Sequence, residues 1–527
     1  HVEIRAPAYP WQNVRKVGED IVNTELLFPQ DHEIRAYDLG ALISAGVYAL
    51  KVWRRPKVAV IPTGSEIVSH RDPEAMASPG KGQIIDSNSL ILAGLVRKSG
   101  GDPVRYPIVP DDKEAIKRTL KEAVASDCDV VMINAGSSAG SRDFTVHVIG
   151  EMGEVLVHGI AMMPGKPTIL ASVNGKPVIG NPGYPVSSTL SFTQFVEPLL
   201  QNLQGVCAPP PETIDVRPAR DIPSKLGLEE FLRVHIGKVG EGYVAVPLQR
   251  AAGSITTLTR AEGIVRIPAN SEGVSQSETI EAELLVSRED ILNTLVIIGS
   301  HDMTIDILAD EIRKKGRNFR VSSGNVGSLG GLMALRKGIC HMSGSHLLDI
   351  RTGQYNISYI EKYLKGRRLS VFNLALRSQG LMVARGNPKG INTIEDLTRK
   401  DVLFVNRQAG SGTRVLLDYK LAQLGIDNAT IPGYDQEEFT HMAVAVDVLS
   451  GIADCGMGIF AAARALELDF VPLEWEQYDL VIPNEMLDEA GVVAALETIR
   501  TGEFRERVLA LGGYDPSKSG ELWKEVG

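Results

Sequence analysis

The sequence predicts an α/β fold class: a doubly wound α/β module, then a small β-barrel or sandwich, then a second α/β module with two lobes. The outer modules are predicted from apolar runs that precede helix-like stretches, such as residues 58–61, 130–133 and 295–298. Alternation of wholly apolar strands with helices is typical of a parallel sheet that is covered on both faces. The middle module is predicted from short alternating apolar and polar runs between residues 231 and 286.

Length and composition indicate a globular protein of several domains. At about 150 residues per domain, the 527 residues correspond to three or four domains. No apolar run approaches the roughly 18 residues that cross a bilayer, and the net charge of −10 comes without a basic block. We therefore expect neither nucleic acid nor a membrane as a partner. The four scattered cysteines lack metal-ligand spacing and favour reduced thiols in a cytoplasmic protein.

Four segments follow from these patterns. The first is too short to form a core of its own. Consecutive prolines at positions 209–211 favour an extended linker, because proline fits neither a helix interior nor a sheet ladder. The predicted segments are a lead-in (1–56), the first α/β module (57–203), the small β module (204–288) and the two-lobed α/β module (289–527).

Polar and glycine residues mark the expected ends of helices. A helix is predicted to begin at Ala36 in the lead-in. In the first module, short polar side chains can cap helices that begin between Asp86 and Ser89 and after Asp112. In the last module we expect a helix over 306–315, a strand over 319–321, a loop over 322–328, a strand over 402–405, a loop over 406–414 and a helix over 415–424.

Loops rich in Gly, Ser and Thr follow the predicted strands of the first module. Glycine lets the backbone approach an anion, hydroxyl groups donate hydrogen bonds, and helix N-termini add partial positive charge. Each loop alone is better explained as a tight turn. Because ligands bind outside the carboxyl ends of parallel strands, the loops together predict a site for a phosphate-bearing ligand. The predicted binding residues are Thr63, Gly64, Ser65, Asn88, Gly136, Ser137, Ser138, Gly140, Pro182, Gly183 and Tyr184.

Three charged residues fall on this predicted edge of the sheet. Asp86 and Asp143 are predicted to hold Mg²⁺, because carboxylates beside phosphate loops commonly do so. A helix cap explains Asp86 equally well on spacing alone. Lys166 is either a cation that pairs with a phosphate or an exposed lysine in a turn. We predict all three as catalytic residues and the two aspartates as metal ligands.

Three loops of the last module have a similar composition. A tetrahedral oxyanion can be bound by hydroxyl and amide donors at several helix N-termini, with help from one arginine. Helix capping explains one such loop, but three in one two-lobed module favour an oxyanion site. His341, His346 and His441 lack a shared spacing and are expected to be structural. The predicted oxyanion ligands are Ser300, Ser323, Ser411, Thr413 and Arg414.

Residues 57 to about 283 resemble the molybdopterin molybdotransferases of the MoeA family. The motifs that carry this likeness are Pro-Thr-Gly-Ser-Glu (62–66), Gly-Gln-Ile-Ile-Asp-Ser-Asn (82–88), the loop 136–143, Pro-Gly-Lys-Pro (164–167) and Asn-Pro-Gly-Tyr-Pro-Val-Ser (181–187). The resemblance implies a MoaB/MogA-like molybdopterin-binding domain and the family's β-barrel domain. It also implies a Mg²⁺-dependent insertion of molybdate or tungstate into adenylated molybdopterin, with release of AMP. A homodimer and an encounter with molybdopterin adenylyltransferase are further implications.

Residues from about 290 to 527 resemble the periplasmic-binding-protein-like domain that is fused to some of these enzymes. This domain is related to molybdate and tungstate receptors, and the likeness lies in residues 407–414, 441–445 and 451–456. It implies that the last module captures or senses the oxyanion.

Two departures from the MoeA pattern leave an alternative open. The family's Asp-Gly-Tyr-Ala segment is absent from the sequence, and Ser141 stands where an acidic residue is usual. Asp143 is then the acid of that loop. The alternative is a sensor without catalysis, built on the same scaffold, that binds molybdate, tungstate or a pterin.

Overall fold

The computed structural model describes residues 3, 5–134, 144–206, 208–316 and 318–527. The chain divides into two compact units, His1–Pro210 and Pro211–Gly527. Within the described ranges, no helix is both long and apolar enough to cross a lipid bilayer. Three cysteines are buried free thiols, as predicted, and the fourth, Cys207, lies outside the described residues.

The lead-in of the first unit contains the predicted helix, Ala36–Ser44. Asp38 stabilises its start, because the carboxylate accepts hydrogen bonds from the Arg35 backbone N–H and from His32 Nε2, both at 2.8 Å. Large apolar side chains of the lead-in, among them Trp11, are exposed. The lead-in therefore does not build a core of its own, in agreement with its length.

A mixed sheet forms the centre of the first unit. Its described strands, in spatial order, are Asp102–Arg105, Lys57–Pro62, Val130–Asn134, Lys176–Asn181, Ile169–Val173 and Glu154–His158. The first four are parallel, as predicted, whereas the last two run antiparallel to their neighbours. The cause is a two-residue turn at Asn174 and Gly175, where φ is 51° and 75°. Such a turn can join only antiparallel strands.

Helices cover both faces of this sheet, so the first unit is doubly wound as predicted. Neighbouring residues of a strand point to opposite faces, and Ile61 packs in one core with Leu120 while Val60 packs in the other with Leu92. Burial on both faces explains why these strands are wholly apolar. The described helices are Pro73–Ala77, Asn88–Lys98, Lys113–Ala125, Phe144–Met152, Pro185–Ser191, the π-helix Phe192–Val196 and Glu197–Leu203, and the short strands are Ile67–Val68, Ile84–Ile85 and Met162–Met163.

A closed barrel begins the second unit, which confirms the predicted β-barrel. The strand Gly242–Pro247 pairs with both Thr213–Pro218 and Glu229–Val239, and this double pairing closes the ring. Closure removes the open edges at which a sheet would otherwise recruit other strands. The other described elements here are the strands Gly263–Ile267 and Ile280–Leu284, the short pair Ile222–Pro223 and Gly273–Val274, and the helices Thr256–Arg260 and Arg288–Leu292.

Two lobes follow the barrel, as predicted. Two antiparallel strands of 15 residues each, Leu369–Val383 and Asp469–Pro483, run through both lobes. The first of them places Leu369 in one hydrophobic core and Leu381 in another. The other described strands are Thr294–Gly299, Arg320–Asn325, Ser343–Ser345, Phe404–Arg407, Glu437–Glu438, Cys455–Ile459, Tyr514–Asp515 and Leu522–Val526.

Helix boundaries in the lobes differ from the predictions by about one turn. Helices begin at Met303 rather than at 306 and at Gly412 rather than at 415, because Asp302 and Ser411 cap them. The strand expected over 319–321 extends to Asn325 and shortens the predicted loop. The described helices are Met303–Lys314, Gly327–Lys337, Ile357–Tyr363, Gly412–Leu424, His441–Ser450, Phe460–Ala465, Ala490–Ile499 and Gly502–Leu511, with 3-10 turns at Glu395–Thr398, Asn428–Thr430 and Asn484–Met486.

The barrel shares a hydrophobic core with the lobe that contains the strand Thr294–Gly299. Val244 and Val246 of the barrel pack in one cluster with Val296 and Ile298 of that strand. The Val296 side chain lies directly against the Gly237 backbone, since a Cβ at Gly237 would lie 2.3 Å from Val296 Cγ2. The barrel and this lobe are therefore packed as one continuous body.

Candidate functional site

The carboxyl ends of three parallel strands meet at one edge of the sheet in the first unit. Pro62 lies opposite Asn134, and Asn134 lies opposite Asn181. The antiparallel strand Ile169–Val173 starts at the same edge, because Ile169 lies opposite Gly180. The sheet thus brings together the stretches that carry the predicted residues Thr63, Lys166 and Pro182.

Buried polar groups support this edge from within. The Thr63 hydroxyl and backbone N–H both donate to the Asn134 backbone carbonyl at 3.1 Å. The Asn134 side-chain carbonyl accepts from Ser188 Oγ at 3.2 Å, and that of Asn181 accepts from Ser191 Oγ at 2.7 Å. Sequence reasoning missed Asn134 as a site residue. Its position between an apolar strand and a glycine-rich loop is the signal that could have identified it.

Gly64 and Ser65 turn the chain sharply after the first strand. Gly64 has a φ of +146°, and a Cβ there would lie 2.5 Å from Ile67 Cγ1, so this position requires glycine. Ser65 exchanges two hydrogen bonds with Asp111: its N–H donates to Asp111 Oδ2, and its Oγ accepts from the Asp111 N–H, both at 3.1 Å. The turn is held rigidly while Ser65 stays exposed.

Asn88 joins the start of the helix Asn88–Lys98 to the loop that holds Gly183. Its Nδ2 donates to the Gly183 carbonyl at 2.6 Å. Its Oδ1 is buried and has no hydrogen-bond partner among the described residues. A buried acceptor without a donor costs about 1–3 kcal/mol. Asn88 therefore offers an unused acceptor next to Gly183, and the neighbouring Tyr184 is exposed.

Asp86 acts as a helix cap in this geometry. Its Oδ1 accepts from the Ser89 N–H at 3.0 Å, and its Oδ2 accepts from the Ser89 hydroxyl. Arg105 Nη2 lies 3.5 Å from the same Oδ2. Both oxygens are therefore occupied. The part of the chain that is described contains no group of three or more His, Cys, Asp or Glu side chains arranged to hold a metal ion.

The remaining predicted residues of the edge divide into two sets. Lys166 is exposed and follows Gly165, whose φ is +122°. The other set lies outside the described residues and consists of Gly136, Ser137, Ser138, Gly140 and Asp143.

A second site is a cavity of about 330 Å³ between the two lobes of the second unit, which we call the interlobe cavity. Four of the described helices begin at its wall, at Met303, Gly327, Gly412 and His441. Asp302, Ser411 and Thr440 cap three of them and accept backbone N–H bonds at 2.9, 3.3 and 3.0 Å. Each helix N-terminus carries about half a positive charge, so four of them favour an anionic ligand.

Arg407 adds a buried cation to the interlobe cavity. Its side chain is 8% exposed and donates to the backbone carbonyls of Glu438 and Phe439 at 3.3 and 3.1 Å. Among the described residues it forms no ion pair with a carboxylate, in contrast to the nearby Arg377. Burial and the charge of Arg377 lower the pKa of Arg407 to about 10. The side chain is still charged at neutral pH, and the charge of Glu476 favours this state although the two side chains do not form an ion pair.

A buried charge network lies along the two long strands. Arg377 contacts Asp302 and Glu476, each at 2.7 Å. Burial opposes ionisation of Glu476, but Arg377 and His346 outweigh it and lower the pKa of Glu476 to about 2. Gln379 links Glu476 at 2.6 Å to Thr413 Oγ1 at 3.2 Å, and Thr413 lines the cavity. The network thus fixes part of the cavity wall.

Histidines complete the wall of the cavity. His346 Nδ1 lies 2.6 Å from Glu476, and its Nε2 lies 2.9 Å from Ser300 Oγ. Burial lowers the pKa of His346 below its usual range, although Glu476 opposes this. Burial also lowers the pKa of His441 far below its usual range, and Arg407 adds to the effect. Both rings are therefore neutral at pH 7.

The structure brings Ser300, Ser411 and Thr413 to the interlobe cavity, and does not bring Ser323 or Arg414 there. Arg414 pairs instead with Asp418 at 3.2 Å and Glu437 at 3.1 Å. Its guanidinium also lies over the Tyr434 ring, 4.0 Å from the ring centroid, and these contacts hold it away from the cavity. Ser323 lies inside the strand Arg320–Asn325. Arg407, which the sequence placed in a motif but not among the ligands, takes the cationic position.

Three family models match the chain. "Probable molybdopterin binding domain" covers residues 59–202, "MoeA C-terminal region (domain IV)" covers residues 215–285, and "PBP superfamily domain" covers residues 309–500. Their order agrees with the first unit, the barrel and the two lobes.

Individual relatives show the same likeness. The chain is 34% identical over 289 residues to the "Putative molybdopterin biosynthesis protein" of Methanocaldococcus jannaschii, which covers 54% of this chain and 69% of that protein. It is 37% identical over 231 residues to the "Uncharacterized protein YvgK" of Bacillus subtilis, covering 44% of this chain and 74% of that one. It is 33% identical over 184 residues to a "Molybdopterin molybdenumtransferase" of Nostoc sp., covering 34% and 41% respectively.

Proposed function

The chain belongs to the MoeA family of molybdenum cofactor biosynthesis proteins, and we propose that it inserts molybdate or tungstate into adenylated molybdopterin with release of AMP. The observation that carries this proposal is the edge of the sheet in the first unit. There, strand ends in register support the proposal, because the stretches that carry Thr63, Lys166 and Gly183 all adjoin them, and Asn88 Oδ1 is an unused acceptor. This edge suits a ligand with both a phosphate group and a heterocycle that carries N–H donors.

Each residue of the edge has a separate role in binding such a ligand. Gly183 leaves room for a phosphate to approach the backbone, because it carries no side chain. Gly64 permits the sharp turn that follows Thr63. The exposed ammonium of Lys166 pairs with a phosphate oxygen and orients the bond to be broken. Asn88 Oδ1 accepts a hydrogen bond from the pterin ring. Thr63 supports the edge without contacting the ligand, because its hydroxyl donates a hydrogen bond to the Asn134 backbone carbonyl.

The described residues contain no group of three or more His, Cys, Asp or Glu side chains for the Mg²⁺ that the family resemblance implies. Asp86 does not fit the role of ligand as it lies here, since both of its oxygens accept from Ser89. Asp143, the other expected ligand, lies outside the described residues. We therefore assign no step of the reaction to the metal ion.

The test of the proposal is AMP release from adenylated molybdopterin by the full chain, with molybdate or tungstate present. We expect AMP release to depend on the oxyanion, and Lys166→Ala to lower kcat/KM by roughly tenfold, the loss of one charge-assisted hydrogen bond. Lys121→Ala, an exposed lysine on the helix Lys113–Ala125, is the matched control. A protein that binds the oxyanion but releases no AMP would rule out the transferase.

A sensor without catalysis is the second candidate function. It is favoured by one observation: Arg407 is a buried cation at the interlobe cavity and forms no ion pair with a described carboxylate. Anion binding to that cavity without turnover at the sheet edge is the result that would support it. The implied homodimer and the contact with molybdopterin adenylyltransferase are proposals that light scattering and a binding titration between the purified proteins would test.

A further inference from the structure

We propose that the interlobe cavity binds a phosphorylated pterin and not a bare tetrahedral oxyanion. This inference rests on the proposed function, since it takes its ligand class from the same cofactor chemistry. The ligand of the second unit is then an organic molecule, whereas the sequence predicted molybdate or tungstate.

The first argument is size. The cavity measures about 330 Å³, which lies within the range of about 300–1,000 Å³ found for pockets that hold small organic molecules. It corresponds to roughly eleven water molecules at about 30 Å³ each. A tetraoxyanion has five heavy atoms and leaves most of such a cavity filled with water. A phosphorylated pterin fills it.

The second argument is the mixed chemistry of the wall. Arg407 and the four helix starts provide the donors that a phosphate monoester needs, at a net charge near −2 at neutral pH. Apolar side chains line the cavity as well, among them Phe439, Met442 and Ile459. A bare oxyanion makes no use of an apolar wall, because it is hydrated or hydrogen-bonded on every side.

The third argument is an exposed aromatic ring. Phe439 is 68% exposed although it lines the cavity, and its backbone carbonyl accepts from Arg407 Nη2 at 3.1 Å. A phenyl ring in this position can stack on a planar heterocycle, and stacking of this kind stabilises a complex beyond area burial alone. Because Arg407 and Phe439 both line the cavity, one ligand in it can contact the cation and the ring.

The fourth argument is the supply of neutral polar groups for the edge of a heterocycle. Asn325 and Gln408 line the cavity, and each carboxamide has both a donor and an acceptor. The pterin edge also alternates donors and acceptors. An oxyanion without protons has acceptors alone, so carboxamide oxygens on the wall give it nothing.

The experiment is a titration of the full chain with neopterin monophosphate, followed by calorimetry and pterin fluorescence. Molybdate, tungstate and inorganic phosphate are titrated beside it. We expect two sites for the pterin phosphate in the unaltered protein, one at the sheet edge and one in the interlobe cavity. Lys166→Ala should weaken the first, and Arg407→Gln should weaken the second by roughly tenfold or more.

Two further variants keep the test sharp. Phe439→Ala removes an exposed side chain and should weaken the pterin phosphate several-fold, while inorganic anions are unaffected. Arg385→Gln removes an exposed arginine that pairs with Glu467, and serves as the control for loss of charge. A thermal unfolding scan verifies that each variant is folded. If Arg407→Gln does not fold, the titration of Phe439→Ala tests the inference instead.

Either of two results would overturn the inference. One is molybdate, tungstate or phosphate binding at an Arg407-dependent site as tightly as the pterin phosphate. The other is a pterin phosphate whose binding neither Arg407→Gln nor Phe439→Ala changes. Failure of the proposed function is distinct, because it appears as a loss of the site that depends on Lys166 while the Arg407-dependent site remains.

Discussion

The sheet edge of the first unit and the interlobe cavity of the second are both lined by small polar residues, yet they are built on different chemistry. At the edge, neutral groups satisfy one another, as Thr63 and Ser188 do with Asn134. At the cavity, Arg377, Asp302 and Glu476 form a buried charge network, and Arg407 forms no ion pair with a carboxylate of the described residues. Loops of similar composition therefore form two kinds of site. Neutral hydrogen bonds stabilise the sheet edge, and buried charges stabilise the wall of the interlobe cavity.

The strongest way to break this comparison is Arg377→Met. The variant leaves Asp302 and Glu476 buried without the cation that they share, so we expect the second unit to lose about 3–5 kcal/mol of stability. Calorimetric unfolding of the full chain should show one transition moved to lower temperature while the transition of the first unit is unchanged. Arg385→Met, at an exposed ion pair, is the control. Equal stability of the two variants would mean that the network does not support the cavity.

The pH dependence of the second unit provides the next test. Burial raises the pKa of Asp479 from 3.8 to about 6, although Gln477, Asn356 and Asn373 donate to it. A carboxyl with a raised pKa favours the folded state when protonated, so this contribution is lost as pH rises from about 4 to about 6. The shift corresponds to about 3 kcal/mol.

Urea unfolding at pH 4, 5, 6 and 7 measures this effect. The slope between pH 4 and 6 should be smaller in Asp479→Asn than in the unaltered protein. Glu476 acts with the opposite sign and at lower pH: its pKa is lowered to about 2 from 4.5, so its stabilising contribution disappears as pH falls from about 4.5 toward 2. Identical pH profiles for the two proteins would show that Asp479 titrates as it does in the unfolded chain.

Arg407 and Arg414 differ in their expected effect on anion binding to the interlobe cavity. Arg407→Gln should weaken anion binding to the interlobe cavity by roughly tenfold or more, since it removes the buried charge. Arg414→Gln should change affinity by no more than about twofold, because Arg414 already pairs with Asp418 and Glu437. Calorimetric titration of both variants with one anion decides between them. The reverse order of effects would restore Arg414 as the ligand that the sequence predicted.

The smallest expected effect belongs to Asp86. Because Asp86 caps a helix, Asp86→Ala costs about 1 kcal/mol of stability in the first unit and leaves the dependence of AMP release on Mg²⁺ unchanged. Chemical unfolding and an assay across Mg²⁺ concentrations measure the two quantities. An increase in the Mg²⁺ concentration required for activity, without a change in stability, would make Asp86 a metal ligand.

Sequence patterns predicted the elements whose cause is local. Asp112 and the following amphipathic stretch predicted the helix Lys113–Ala125 at its observed bounds, because a cap and a helical period are both short-range signals. The antiparallel edge of the first sheet was missed although Asn174-Gly175 is the typical sequence of a two-residue hairpin. That omission also hid why Lys166 reaches the sheet edge.

The sites were harder to predict because they depend on direction and on long-range contact. Arg407 and Arg414 lie seven residues apart in one motif, but Arg414 pairs with Asp418 and Glu437 while Arg407 lines the cavity. Arg377 and Glu476 meet through the pairing of two long strands across 99 residues of sequence. No spacing rule could connect them.

The shared core of the barrel and the adjoining lobe has a consequence for how this chain can be divided. Val244 and Val246 pack against Val296 and Ile298, so a boundary at residue 288 runs through a hydrophobic contact and not through a linker. Expression of either side alone would expose that apolar face and favour aggregation. Any exchange of the barrel or of this lobe for another domain would therefore require a redesign of the shared hydrophobic contact.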